Sequence, residues 1–159
     1  MDDSLVSLAY EVRAKTLWLL EDVTDELARF AAPGMCNSIL WHAGHALVVV
    51  EHLCVSPATN QPPQLPDGWF EKFGWDSQPR TVSEWPAVAD VVAALREQLP
   101  RLVAAIEALT PERLAEVLGP PHDASLRYLL VHGLHDEACH QGEIWLLRKM
   151  YARSTEQGR

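Results

Sequence analysis

Apolar residues recur along the chain at three- and four-residue steps, the period of a helix, in four long stretches. Leu5, Leu8, Val12, Leu19 and Leu20 line one face of a first helix over 5–20, with Glu11, Arg13 and Lys15 falling mostly on the wet side. A second helix spans about 38–54, with Asn37 suited to cap it. Thr81-Val82-Ser83-Glu84 has the capping-box pattern and opens a third helix running to about Leu109. Pro86 is tolerated near that start, whereas Pro100 is expected to kink the helix. The last helix begins after a cap at Asp123 or Ser125 and reaches about Tyr151, leaving a polar, frayed tail over 154–159. Short helical turns are expected over 24–30 and from Thr110-Pro111-Glu112 until Pro120-Pro121. No stretch alternates with the period of a strand, and no repeat or linker is evident. The pattern predicts an all-α fold, a single domain over 1–159 in which the long helices form an antiparallel bundle.

Two stretches break the pattern. Between 56 and 80, five prolines and two glycines exclude a long helix or strand. Trp69, Phe70, Phe73 and Trp75 lie within it, so this loop either packs down as a connection or walls a ligand pocket. The other exception lies inside the last helix, from Leu126 to Arg148. It keeps the helical period yet carries His132, His135, Asp136, Glu137, Cys139, His140 and Glu143 over three turns. Polar groups entering a core need partners or cost roughly 1–3 kcal/mol each. A metal ion is one such partner.

Geometry narrows the set. At about 100° per residue, Asp136 and His140 share a face, His132 lies one turn earlier on it, and His135 points roughly 140° from His140. A further ligand must come from elsewhere, and the second helix supplies His42, His45 and His52. His45 sits one turn from Trp41 and from Val48-Val49 on the apolar stripe, with His42 toward its edge. The candidate centre is therefore His45, Asp136 and His140, with His132 and His135 as alternates and Glu137 or Glu143 as proton acceptors. Two imidazoles and a carboxylate leave open positions and suit zinc, nickel, manganese or iron. The same residues also fit core histidines hydrogen-bonded to carboxylates. A di-iron site needs a second Glu-x-x-His beside Glu137–His140, and a Cys139–His140 nucleophile pair is disfavoured because adjacent helical residues point about 100° apart.

Composition trims the functions. A net charge of −9 argues against a nucleic-acid partner. No apolar run of spanning length is free of charge or histidine, and the acidic start Met1-Asp2-Asp3-Ser4 does not read as a signal peptide. Three widely spaced cysteines fit reduced thiols in a cytoplasm.

Asn37-Ser38-Ile39-Leu40-Trp41-His42-Ala43-Gly44-His45, His140-Gln141-Gly142-Glu143-Ile144, the Leu20–Leu27 run and the Pro- and Trp-rich loop together resemble the DinB/YfiT-like superfamily over nearly the whole chain. The resemblance implies a four-helix bundle of the up-down-down-up type, with the long loop between helices two and three. It implies a divalent metal on His45, on a residue four before the last ligand, and on His140. Most members have histidine at that middle position; Asp136 here is similar to the acidic ligand of mycothiol-dependent maleylpyruvate isomerases. The family also includes bacillithiol-dependent S-transferases, and members are often dimeric. The implied activity is that of a metal-dependent thiol S-transferase or isomerase. The metal activates a low-molecular-weight thiol toward a small electrophilic substrate, with water activated instead in a hydrolase variant. The alternative is a non-catalytic binding or stress-response module whose metal site is vestigial.

Overall fold

A computed structural model describes residues 3–157. Helix α1 spans Asp3–Leu19 and α2 spans Asp25–Ala28, the latter capped by the Thr24 hydroxyl. Helix α3 spans Ile39–Val50. Its cap is Ser38 rather than Asn37: the Ser38 hydroxyl accepts from the Trp41 amide at 3.2 Å. The helix does not stop near Cys54. It continues through a wide π-helical turn, Glu51–Val55, into α4, Ser56–Thr59, and ends where Asn60 turns left-handed at φ 55°. This segment is apolar and long enough to cross a membrane by length and composition, yet 83% of its most apolar window is buried against the rest of the fold.

The Pro-rich stretch holds one short helix, α5, Trp69–Phe73, entered through Gly68 at φ 73°. Helix α6 spans Val88–Glu107. The Thr81–Glu84 capping box is not used. Thr81 closes a single 3-10 turn, and the Val88 amide is capped by the Asp25 carboxylate of α2 at 2.8 Å. A cap supplied by another element is invisible to a local motif. Helix α6 runs on through Pro100, which lies with Arg96 on the exposed side, so the carbonyl that proline leaves without a donor faces water. Helix α7, Pro111–Ala115, precedes a two-residue hairpin that the sequence pattern does not reveal: β1, Val117–Leu118, antiparallel to β2, Ala124–Ser125. Two residues are too few to show alternation. The Ser125 hydroxyl, not Asp123, caps the last helix by accepting from Tyr128 at 3.2 Å. That helix, α8, spans Leu126–Gln157, so most of the tail expected to fray is helical; residues 158–159 lie outside the described residues.

Four long helices make the body. α1 packs on α6 and α8, and α3 packs on the same two. Buried apolar residues form two clusters, one including Leu19, Leu40, Phe73, Leu95 and Ile144, the other Leu5, Val50, Leu102, Ile106 and Leu130. On α1, α6 and α8 a polar residue falls between them: Arg13, Gln98 and Glu137. The Arg13 guanidinium donates to both oxygens of Glu137 at 2.8 and 3.0 Å and to Gln98 at 2.8 Å. The Thr16 hydroxyl adds a 2.6 Å bond to Glu137. Gln98 continues the network to Glu51 at 2.8 Å, which Arg101 closes at 2.6 Å. Buried charges demand such pairing.

Candidate metal centre

His45 from α3 and Asp136 and His140 from α8 bring one ligand atom each to within 4.8 Å of one another. The Asp136 Oδ2 atom lies 3.4 Å from His140 Nε2 and 3.9 Å from His45 Nε2. Neither contact closes a hydrogen bond, and this buried oxygen has no hydrogen-bond partner among the described residues. A tetrahedral ion with bonds of about 2.0–2.1 Å needs donors roughly 3.4 Å apart. The donor types suit a divalent cation, the Asp136–His140 pair stands at that spacing with His45 farther at 3.9 Å, and an orphaned buried carboxylate oxygen is the group a cation satisfies.

Both imidazoles are held from behind. His45 Nδ1 donates to the Phe73 carbonyl at 2.6 Å, which leaves Nε2 as the free lone pair facing the centre. This contact depends on Gly44: a Cβ there would stand 2.3 Å from the Phe73 ring, so glycine lets the loop seat against α3 one residue from the ligand. Trp41 stacks on His45 with ring centroids 4.5 Å apart, and its indole N–H donates to Ser77 at 2.9 Å. Two residues of the Pro-rich loop, Phe73 and Ser77, thus hold the centre's α3 side. His140 Nδ1 meets His42 Nδ1 at 2.8 Å. Beside it, Gln141 pins α8 to α1 through the Val12 carbonyl at 2.7 Å. Two turns before His140 on the same face of α8, Gly133 permits close approach to the π-helical segment, since a Cβ would lie 2.5 Å from Cys54 Sγ.

Burial favours the neutral form of His42 and His45. Burial, reinforced by the neighbouring His140 and His45, pushes His42 down to about 3. Burial also lowers His45, against the opposing pull of its bond to Phe73. For Asp136, burial alone acts upward, but the interaction with His140 and the charges of His140, His45 and His132 together outweigh it, and the carboxyl falls below its ordinary range. Neutral imidazole and ionised carboxylate are the forms that ligate metals.

The other sequence candidates sit elsewhere. His132 is exposed and stacked on Tyr128, and His135 is exposed beside Cys139, so neither alternate joins the cluster. Glu137 is fully buried in its bidentate pair with Arg13, a structural place rather than that of a proton acceptor. It points away because one residue along α8 rotates by about 100° from Asp136. Glu143 is half-buried and outside the group. His42 is the residue that sequence reasoning undervalued. Its three-residue spacing from His45 was the available signal.

No functionally curated protein matches the sequence. A solved structure described as the conserved protein of a locus from Enterococcus faecalis is similar in fold, with a TM-score of 0.71 at 15% identity over 94% of this chain and 95% of that one. A sequence model of the DinB superfamily matches residues 8–144. With that match covering all four long helices in part or whole, including His45, Asp136 and His140, the chain belongs to the DinB superfamily.

Proposed function

We propose that the chain is a metal-dependent enzyme in which His45, Asp136 and His140 hold a divalent cation, zinc, nickel, manganese or iron. The observation that carries this reading is the buried Asp136 Oδ2, left without a hydrogen bond between two imidazole Nε2 atoms that are themselves anchored through Nδ1. When bound, such a cation supplies Lewis acidity that lowers the pKa of a coordinated thiol or water. The chain's own residues do the rest. Phe73 O and His42 aim the two imidazoles, Trp41 covers one side of His45, and Asp136 supplies the single negative charge. The Asp136 side chain is also the most open of the three, at 29% exposure against 10% and 16%, so a small substrate approaches past it. A low-molecular-weight thiol acting on an electrophile, as S-transferase or isomerase, is the activity we favour, with hydrolysis as the variant in which water takes the thiol's place.

The packing of α1 on α6 and α8, and of α3 on the same two, supports an up-down-down-up bundle in which the Pro-rich loop carries the chain from α3 to α6. Three unpaired thiols and the net charge of −9 support a cytoplasmic protein acting on small molecules, apart from nucleic acid and membrane. A homodimer is testable by light scattering. The decisive experiment is elemental analysis of tag-free protein before and after chelation, beside His45→Ala and His140→Ala. About one divalent ion per chain, lost in both variants, supports the enzyme. No ion in wild type, and no thermal stabilisation by added zinc, nickel or manganese, leaves the non-catalytic binding module.

A further inference from the structure

We infer that His42 is a positioning residue for the metal centre: its Nδ1 accepts the Nδ1–H of His140, and so fixes His140 with its Nε2 lone pair turned toward His45 and Asp136. This rests on the metal reading above. Three observations carry it. The two Nδ1 atoms are 2.8 Å apart, a hydrogen-bond distance that requires one ring to donate and the other to accept. His140 Nε2 faces Asp136 at 3.4 Å, on the opposite edge of its ring. His42 is 4% exposed, and its remaining nitrogen, Nε2, is buried without a hydrogen-bond partner.

The proton count follows from the inventory of a neutral imidazole, one N–H and one lone pair. A ligating Nε2 must be unprotonated, so His140 carries its proton on Nδ1. His42 then accepts at Nδ1 and holds its own proton on Nε2. That leaves a buried donor unsatisfied, the kind of exception a fold retains for a reason. The reason here is the orientation of a ligand, the task usually given to a carboxylate or a backbone carbonyl. The choice of acceptor has a chemical result. His45 leans on a carbonyl and His140 on a neutral imidazole, so Asp136 alone contributes negative charge, and a bound divalent ion keeps more of its Lewis acidity than it would beside a carboxylate–histidine pair.

The test has a metal-free and a metal arm. In uniformly 15N-labelled wild-type protein without metal, a scalar coupling between His42 Nδ1 and His140 Nδ1 across the hydrogen bond is expected. Its absence overturns the inference whether or not the protein binds metal. In the second arm, zinc affinity is measured by competition with a chromophoric chelator. His42→Phe keeps the ring volume but removes the acceptor and should weaken zinc by about 10–100-fold. His42→Asn places an amide oxygen near the lost Nδ1 and should recover most of that loss, which a merely space-filling role would not predict. Zinc binding in His42→Phe equal to wild type overturns this inference alone. A wild-type protein that binds no zinc overturns the metal reading itself, and this one with it.

Discussion

Replacing Arg13 by methionine tests whether the polar layer between the two core clusters is structural. Its guanidinium is 1% exposed and its partner Glu137 0% at the side chain. Arg13→Met keeps most of the volume but leaves the Glu137 carboxylate with only the Thr16 hydroxyl, while Gln98 and the Leu95 carbonyl each lose a donor. Breaking a buried pair from one side costs about 3–5 kcal/mol, because a charge remains without compensation. Against a total stability of about 5–15 kcal/mol that is about a fifth or more. At roughly 2–4 °C per kcal/mol for a chain of this size, the melting temperature should fall by about 6–20 °C. Urea unfolding read by circular dichroism measures the difference directly. Arg13→Met/Glu137→Met removes both charges and should recover much of the loss, since apolar replacements of buried pairs are often neutral. Zinc binding by the folded single variant should stay unchanged. A single-variant cost below about 1 kcal/mol, or loss of zinc binding in the folded protein, would refute the structural assignment of Glu137.

Other outcomes follow from the same geometry. Gly44→Ala drives a methyl into the Phe73 ring and should cost about 1–3 kcal/mol by overpacking; by displacing the Phe73 carbonyl from His45 it should also weaken zinc, and an unchanged affinity would show that this contact does not orient the ligand. Asp136→Asn should abolish tight metal binding and modestly lower metal-free stability at pH 7, because, against the effect of burial, His140, His45 and His132 hold the ionised carboxyl below its ordinary range; metal-free stability above wild type contradicts this. The folded pKa values of His42 and His45 lie below 6.5, so the unfolded chain binds more protons as the medium is acidified. Stability of the metal-free protein should therefore be full above about pH 6.5 and decline below it, by at most about 1.4 kcal/mol per pH unit for each imidazole, continuing toward pH 3 for His42. Equal urea midpoints at pH 7 and pH 5 would refute it.

The helices and the grouping of the candidate ligands on α8 were legible in the sequence because each rests on a local period. Leu5 to Leu20 shows its buried face except at Arg13, which the pattern sets on the wet side and the fold buries against Glu137, and Asp136 and His140 share theirs by being four apart. What stayed hidden depends on partners distant in sequence. Nothing near Val88 announces that Asp25 caps it across 63 residues. Glu137 reads as a free carboxylate until Arg13 is found opposite, 124 residues away. His42 was set at the edge of the stripe because α3 is buried on every side, and a helix without a wet face gives periodicity nothing to rank.

The carbonyl of Phe73 has a consequence for anyone moving this centre to a new scaffold. A backbone acceptor cannot be deleted by changing a side chain, so substitutions at 73 alter the packing but leave the hydrogen bond's oxygen in place. Chain length and path control it instead. An insertion between Gly68 and Gly74 would shift that oxygen although every ligand were kept. The portable unit is thus larger than three side chains: it comprises a length of α3, a length of α8 and the short loop helix that leans on Gly44.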